Sequence, residues 1–304
     1  MLTFDEVKNG GKGALARALA RLESAPQAAD TLALLDAAYA APRAQVVGMT
    51  GPPGGGKSTL TGALIAGYRA RGQTVGVIAV DPSSRRSGGA LLGDRVRLLS
   101  NPEDPGTFVR SMAARDRLGG LAELSWSSIV LMRALFDRVV VETVGVGQSE
   151  TDVAGAVDTV VFCVQPGSGD SLQFMKAGIV EIPHVAVVTK ADMGMVAERA
   201  LADLASARSL AEPEVGWPVR TLALSAENRR GLDELFAVVD RHFAFLGATG
   251  HLAPQRDRQA RAWIEETLRE RYGREGLKRL GPFELVPGEA PFTRLADYAA
   301  RLAG

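Results

Sequence analysis

The stretch GPPGGGKST, residues 51–59, points most directly to the fold class of this chain. It matches G-x-x-x-x-G-K-[ST] and lies between the apolar run QVVGM (45–49) and the helical stretch STLTGALIAGYRARG (58–72). Glycines in such a loop let backbone N–H groups approach phosphate oxygens, and the following helix adds its positive amino end. Lys57 is placed to reach the β- and γ-phosphates, and Ser58 to ligate Mg²⁺. The motif predicts a nucleoside triphosphate site formed by Gly51, Pro52, Pro53, Gly54, Gly55, Gly56, Lys57, Ser58 and Thr59.

Short β-branched runs alternate with helical stretches across residues 44–245. Their apolar character is nearly continuous, which is typical of parallel strands that are covered on both faces. The pattern predicts an α/β domain with a doubly wound, mostly parallel sheet. The predicted strands are QVVGM (45–49), TVGVIAV (74–80), RVVVE (138–142), TVVFCV (159–164), HVAVVT (184–189) and VRTLAL (219–224).

Helical extensions flank this domain on both sides. Residues 1–43 carry apolar side chains at helical spacing in two runs separated by Pro26, and we expect them to form a helical arm. Residues 246–304 return to helix, with RQARAWIEETLRERYG as the clearest amphipathic run. We expect this C-terminal extension to pack on the central domain or on a second copy of the chain, as a dimerisation element.

The composition is that of an ordinary globular protein, with 46% hydrophobic and 23% charged residues in 304. Basic and acidic residues number 35 each, which removes the usual electrostatic argument for nucleic-acid binding. Cys163 is the single cysteine, so no disulfide framework can form within the chain. No apolar run approaches the roughly 18 residues of a membrane span, and the first residues lack a signal-peptide pattern. We therefore expect a cytoplasmic protein without a membrane or nucleic-acid partner.

Carboxylates follow the predicted strands at the edge where ligands of parallel sheets bind. Asp81 ends the second strand and Glu142 ends the third, while Asp94 lies in the long segment after Asp81. Mg²⁺ prefers oxygen ligands and needs only one or two carboxylates because it keeps several waters. These residues predict a magnesium site together with Ser58.

The segment ETVGVGQSE (142–150) is similar to the D-x-x-G element that senses a γ-phosphate, with Glu in place of Asp. The amide of Gly145 is placed to contact the γ-phosphate, and hydrolysis would then release the loop. Gln148 is placed to orient the attacking water. A surface loop without a catalytic role is the alternative interpretation for Gln148.

The four residues TKAD (189–192) directly follow an apolar strand, where GTPases carry an [NT]-K-x-D element that reads guanine. The Asp192 carboxylate can accept hydrogen bonds from the ring N–H and the exocyclic amine of guanine, a donor pair that adenine lacks. Lys190 is expected to lie along the base. After the next strand, LSAEN (224–228) matches a later S-A element, which adds Ser225, Ala226 and Glu227 to the predicted guanine site.

Longer motifs carry a family resemblance. They are AVDPSSRRSGGALLGDRVR (79–97), VVVETVGVGQSE (139–150) and GDSLQFMKAGIVEI (169–182), in addition to the phosphate loop and TKAD. Their combination resembles that of the MeaB/ArgK-type P-loop GTPases, which include the human methylmalonic aciduria type A protein. The resemblance spans about residues 44–230, and the flanking helical zones also fit the layout of this family.

The resemblance implies a GTP-hydrolysing chaperone, dependent on Mg²⁺, that gates cofactor loading, protection or reactivation of an adenosylcobalamin-dependent acyl-CoA mutase. It also implies a homodimer. GDSLQFMKAG is similar to an additional switch of the family that communicates with the mutase, and Lys176 is the charged residue of this segment to test first. The residues expected to act in hydrolysis and its control are Lys57, Glu142, Gln148 and Lys176; those expected around Mg²⁺ are Ser58, Asp81, Asp94 and Glu142.

Three other functions stay open at this level. The first is a nucleotide-dependent kinase of the ArgK type that acts on periplasmic binding proteins, although TKAD favours guanine where a kinase should prefer ATP. The second is a metal-delivery GTPase, although the three histidines are dispersed in the sequence and suggest no metal cluster. The third is a module that binds nucleotide without turnover.

Overall fold

A parallel β-sheet lies at the centre of the computed structural model. The structure describes residues 2–82, 101, 103–114, 123–143, 153–167, 183–208, 216–286 and 288–303. Of residues 81, 82, 113, 114, 123, 124, 207 and 208 it describes only the backbone.

Within these residues the sheet has seven strands in the order β3-β2-β4-β1-β5-β6-β7, and every pairing is parallel. The doubly wound α/β prediction is thereby confirmed. The strands are β1 (Gln45–Thr50), β2 (Val75–Pro82), β3 (Thr107–Ala114), β4 (Arg138–Glu142), β5 (Thr159–Val164), β6 (Val185–Val188) and β7 (Arg220–Ala223).

The edge strand β3 is one element that the sequence pattern did not predict. Its sequence TFVRSMAA places Arg110 and Ser111 in the middle of the strand, which interrupts the apolar run. An edge strand pairs on one side only and tolerates such polar residues, so hydrophobicity marks it weakly. It pairs with β2 along its full length, from Val75 opposite Thr107 to Pro82 opposite Ala114.

Helices connect and cover the strands. Those in the described residues are α1 (Phe4–Asn9), α2 (Gly11–Ser24), α3 (Ala29–Ala40), α4 (Lys57–Ala70), α5 (Glu123–Leu135), α6 (Met195–Arg208), α7 (Leu232–Ala248), α8 (Leu252–Leu280) and α9 (Pro291–Ala303). Short 3₁₀ turns occur at Val153–Gly155 and Ala191–Met193. Helix α8 contains a kink at Gly273, where φ is 69°.

Successive residues of the central strands face opposite layers, because strand side chains alternate between the two faces of a sheet. On one face, Val47 and Met49 pack in a buried cluster with Leu60 of α4 and Leu235 of α7. The helix that follows the phosphate loop is therefore held directly against the sheet. This contact fixes the position of the loop relative to the strand ends.

The opposite face is covered by both predicted helical extensions. Leu35 of α3, Trp126 of α5 and Ile264 of α8 share one buried cluster with the sheet residue Val139. The helices of residues 2–43 thus pack in the core of the central domain, and the predicted domain boundary at 245/246 lies inside α7. Burying both extensions against one sheet face joins the two ends of the described chain into a single core.

Helix α8 is anchored to the sheet by a buried ion pair as well. Arg256 donates from Nε and Nη2 to the two carboxylate oxygens of Asp158, each at 2.8 Å. Asp158 also accepts a hydrogen bond from the backbone N–H of Val46 at 2.8 Å, and its side chain is 1% exposed. The ion pair lies at the amino end of the sheet, opposite the phosphate loop.

Candidate nucleotide-binding site

The predicted phosphate loop connects the carboxyl end of β1 to the first turn of α4. Gly51 has a φ of 132° and lies so close to β5 that a Cβ atom there would be 2.1 Å from the carbonyl oxygen of Cys163. Gly56 caps α4 in the left-handed region, with φ of 81°, and a Cβ atom there would meet Thr189 at 3.1 Å. A side chain at Gly51 would clash with the backbone of β5, and a side chain at Gly56 would strain the left-handed backbone and crowd Thr189.

Lys57 is the first residue of α4, and its side chain is buried under the loop. Its Nζ donates to the carbonyl oxygens of Gly51 at 2.7 Å and Pro52 at 3.0 Å. The ammonium therefore lies inside the loop that the motif assigns to phosphates. A positive charge at a helix amino end that is already positive favours an anion there.

Ser58 and Glu142 come together although 84 positions separate them in the sequence. Glu142 ends β4, in register with Met49 of β1, so its carboxylate reaches the start of α4. The Ser58 hydroxyl donates to Oε1 of the buried Glu142 at 2.5 Å. A hydroxyl and a carboxylate are oxygen donors of the kind that Mg²⁺ prefers, so this pair suits the predicted metal.

Asp81 lies at the carboxyl end of β2, on the strand next to Glu142. The register pairs Ala79 with Glu142, so the backbone of Asp81 continues two residues beyond that pair. Its backbone is therefore at the predicted sheet edge, while its side chain lies outside the described part of the chain. Within the described side chains, no group of three His, Cys, Asp or Glu residues is arranged to hold a metal ion.

Thr189 connects the predicted base-reading element to the phosphate loop. Its buried hydroxyl is within hydrogen-bond distance of the carbonyl oxygens of Gly55 at 3.0 Å and Val164 at 3.1 Å. A threonine therefore makes a loop contact at a position where GTPases often carry asparagine. The contact holds the end of β5, the phosphate loop and TKAD in one rigid unit.

Lys190 and Asp192 follow in the same loop. Lys190 adopts a left-handed backbone with φ of 53°, and its Nζ donates to Oε1 of Gln165 at 2.8 Å. A hydrogen bond from the Ser225 side chain is the main cause that lowers the pKa of Asp192. Asp192 is thus a carboxylate at neutral pH, and a carboxylate can accept the two N–H groups of guanine.

The S-A element forms a tight turn after β7. Ser225 and Arg230 exchange two backbone hydrogen bonds, each at 3.0 Å, and the Asn228 N–H donates to the Ser225 hydroxyl at 3.3 Å. The Ala191 N–H donates to the carbonyl oxygen of Leu224 at 3.0 Å, which ties the turn to TKAD. The two predicted guanine elements are therefore adjacent in the structure.

Both halves of the prediction line one cavity of about 1080 Å³. This volume is ample for a nucleotide, since sites for small molecules usually measure about 300–1,000 Å³. Of the predicted site residues, those lining it are Pro53, Gly54, Gly55, Gly56, Lys57, Ser58, Thr59, Glu142, Lys190 and Ala226. Asp192 and Ser225 contact each other beside it, and Glu227 is exposed in the same turn.

Four of the predicted residues lie outside the described part of the chain: Asp94, Gly145, Gln148 and Lys176. The structure adds two residues that sequence reasoning missed. Gln165 contacts Lys190, and Arg229 lines the cavity. Gln165 follows an apolar strand directly, a signal that could have pointed to it. Arg229 carries no comparable signal, because its place in the cavity depends on the shape of the turn.

Comparison with known protein families assigns the chain. The family model described as methylmalonyl Co-A mutase-associated GTPase MeaB matches residues 15–276, most of the chain. The chain belongs to the MeaB family. The resemblance predicted from the motifs is thereby confirmed, and the phosphate loop and TKAD both lie within the matched residues.

Two relatives of this MeaB-family chain come from an archaeon and from the mouse. A candidate GTPase of Pyrococcus horikoshii is 44% identical over 230 residues, which cover 74% of this chain and 71% of the relative. The mouse methylmalonic aciduria type A homolog, a mitochondrial protein, is 36% identical over 229 residues, which cover 74% of this chain and 55% of that one. The first of these relatives is named as a GTPase, and the second is named for methylmalonic aciduria.

A solved structure matches the MeaB-family chain along nearly its whole length. It is that of a protein named LAO/AO transport system kinase, and it superposes with a TM-score of 0.71 at 28% identity, covering 98% of this chain and 96% of that one. The agreement extends to the helical extensions. Among the described residues of this chain, no helix combines the length and the apolar character that crossing a membrane requires.

Proposed function

We propose that the protein is a GTP-hydrolysing chaperone that gates cofactor loading, protection or reactivation of an adenosylcobalamin-dependent acyl-CoA mutase. The observation that carries the proposal is the match of residues 15–276 to the mutase-associated GTPase family. The convergence of the phosphate loop and the guanine elements on one cavity supports the nucleotide half of the proposal. The name of the mouse relative supports a link to methylmalonyl metabolism.

For hydrolysis, Lys57 leaves the carbonyl oxygens of Gly51 and Pro52 to pair with the β- and γ-phosphates, where its charge offsets that of the transition state. Ser58 and Glu142 would hold Mg²⁺ together with Asp81 and Asp94. When bound, Mg²⁺ supplies positive charge against the β- and γ-phosphate oxygens.

The remaining steps fall to residues outside the described part of the chain. We propose that Gln148 orients the attacking water and that the Gly145 amide detects the γ-phosphate. Loss of the γ-phosphate then releases this loop, and Lys176 passes the change to the mutase.

Base selection rests on the TKAD loop. The lowered pKa of Asp192 keeps its carboxylate ionised, so that it accepts from the ring N–H and the amine of guanine. Adenine offers no such donor pair, and an unpaired polar group in the site would cost binding energy. GTP is therefore favoured over ATP.

We further propose that the protein acts in the cytoplasm as a homodimer and that the mutase, rather than a nucleic acid or a membrane, is its partner. Residues 246–304 are the proposed dimerisation element. Analytical ultracentrifugation of the whole chain, with and without GTP, measures the state of association. A monomer under both conditions would contradict this part of the proposal.

The decisive experiment measures steady-state GTP hydrolysis with and without an adenosylcobalamin-dependent acyl-CoA mutase from the same source, with ATP as the control nucleotide. We expect slow GTP turnover that the mutase accelerates, and no turnover of ATP. Slow GTP turnover without acceleration would exclude that mutase as the partner but keep the GTPase. A preference for ATP would contradict both the base assignment and the chaperone function.

A kinase is the second candidate, favoured by the name of the structural relative that covers 98% of this chain. In a kinase, the γ-phosphoryl group is transferred to a hydroxyl or other acceptor on a protein instead of to water. Incubation with γ-labelled GTP or ATP and a periplasmic amino-acid binding protein distinguishes the two. Label that appears only in inorganic phosphate supports the GTPase, and label on the binding protein supports the kinase.

A further inference from the structure

Two cationic residues share an uncommon backbone conformation at this site. Among the described residues, Lys190 with φ of 53° and Arg229 with φ of 55° have positive φ, and every other residue with positive φ is a glycine. Both line the same cavity. Left-handed backbone is unfavourable for residues with a Cβ atom, and such residues collect at functional sites. Because the two residues share this conformation and line the same cavity, we expect them to contact the same ligand.

The turn holds Arg229 firmly in place. The paired hydrogen bonds between Ser225 and Arg230 close the four residues 226–229 into a loop. At its end, Gly231 lies so close to β7 that a Cβ atom there would be 2.7 Å from the carbonyl oxygen of Ala223. The loop cannot move away from the sheet without breaking these contacts, so the fold fixes the backbone of Arg229 and the direction of its Cα–Cβ bond.

No contact in the described part of the chain gives the Arg229 side chain a structural role. It is exposed, and no described carboxylate forms an ion pair with it. Glycine would fit the turn with less strain, since it adopts positive φ freely. The backbone alone therefore does not explain an arginine at this position.

We propose that Arg229 is a further nucleotide-binding residue, whose guanidinium stacks on the purine ring as a second cationic contact beside Lys190. A guanidinium is planar and stacks on flat ring systems, while a lysine ammonium acts as a point charge. The contact recognises a purine nucleotide without reading its ring substituents, which is the role of Asp192. This inference rests on the proposed nucleotide-binding function.

The test compares three substitutions of Arg229 in the full chain by equilibrium titration with fluorescently labelled GDP. Arg229→Gly removes the side chain and suits the positive φ, Arg229→Ala removes it and keeps the strain, and Arg229→Lys keeps only the charge. We expect the Kd to rise about tenfold in the glycine and alanine variants and less in the lysine variant. Thermal unfolding without nucleotide checks that each variant is folded.

Arg230→Ala is the matched control, because Arg230 is the neighbouring exposed arginine and is not among the residues that line the cavity. It should bind GDP within about twofold of the wild type. Inosine diphosphate, which lacks the exocyclic amine, should show the same rise in Kd as GDP in Arg229→Gly, because stacking does not depend on that amine.

Three results would overturn the inference. They are wild-type affinity in Arg229→Gly, an equal loss in Arg230→Ala, and an effect that is confined to Arg229→Ala. Failure of the proposed function gives a different result: folded wild-type protein that binds neither GDP nor GTP.

Discussion

Polar side chains are arranged differently at the two ends of the sheet, which we call the amino edge, where the parallel strands begin, and the carboxyl edge, where they end. At the amino edge, polar side chains are buried and contact each other. Gln45 donates to the Thr159 hydroxyl at 3.1 Å and to the carbonyl oxygen of Val239 at 2.9 Å, and His242 contacts Thr159 at 2.9 Å. At the carboxyl edge, Lys57 and Lys190 instead contact loop groups on the wall of a large cavity.

The difference indicates that the same strands contribute to stability at their amino edge and to ligand binding at their carboxyl edge. A buried polar group needs a partner, and at the amino edge the fold itself supplies one. Parallel strands leave a crevice beyond their carboxyl ends where helix amino ends and loop N–H groups can receive a ligand. Changes at the amino edge should therefore alter unfolding, and changes at the carboxyl edge should alter nucleotide affinity.

The largest effect is expected from Asp158→Ala at the amino edge. The substitution leaves the Arg256 guanidinium, whose side chain is 11% exposed, without its carboxylate. Breaking a buried pair in this way costs about 3–5 kcal/mol of unfolding free energy. Urea unfolding measures it. Glu265→Ala, which removes an exposed pair with Arg269, is the control and should cost less than about 1 kcal/mol.

GDP affinity of Asp158→Ala should stay within about twofold of wild type under conditions where the variant is folded. A large loss of affinity would contradict the separation of the two edges.

Lys57→Ala is the corresponding change at the carboxyl edge. It removes the buried ammonium from the phosphate loop, and we expect GDP binding to weaken about 100-fold, or roughly 2.7 kcal/mol. Titration with labelled GDP measures the loss. His242→Asn, at the amino edge, serves as the control and should bind GDP normally. Unchanged affinity in Lys57→Ala would exclude this loop as the phosphate site.

Lowering the pH should reduce the free energy of unfolding through His242, which lies at the amino edge. Burial, with a smaller contribution from the charge of His184, lowers the pKa of His242 to about 3. Below about pH 6.5 the unfolded chain binds a proton that the native state does not, so stability falls with falling pH until about pH 3. Between about pH 6.5 and 5 this contribution is about 2 kcal/mol.

Urea unfolding of wild type and His242→Asn at about pH 7.5 and pH 5 measures this contribution. The variant should lose about 2 kcal/mol less than the wild type on acidification. Titrating groups that do not contact His242 are common to both proteins and cancel, so the difference reports on His242 together with His184, which stacks on it. Equal losses would show that His242 does not govern the acid response.

The smallest effect is expected from Thr189→Val, which tests how tightly the elements of the carboxyl edge depend on one another. Valine keeps the shape but removes the hydroxyl that contacts Gly55 and Val164. Loss of one such hydrogen bond costs about 1 kcal/mol, so GDP should dissociate about fivefold faster. Stopped-flow displacement of labelled GDP measures the rate. Thr189→Ser keeps the hydroxyl and should dissociate near the wild-type rate.

Prediction from the sequence was most complete where all the residues of a motif lie in one short stretch of chain. The phosphate loop sits between a strand and a helix as predicted, and Lys57 and Ser58 line the cavity. TKAD follows β6 as predicted. Such motifs are readable because the loop, its glycines and the helix that follows are local in sequence. The edge strand β3 was missed because its polar residues hide the apolar pattern.

Local sequence was enough to predict the fold class and the family, both of which are confirmed, and to predict the phosphate and guanine elements, since each depends on residues that are close together along the chain. Long-range packing was needed to bring Glu142 to Ser58, Gln165 to Lys190 and Thr189 to Gly55. It also placed Arg229 on the cavity and Arg256 on Asp158. Strand register and turn geometry set these contacts, and both follow from how the whole core packs rather than from any local pattern.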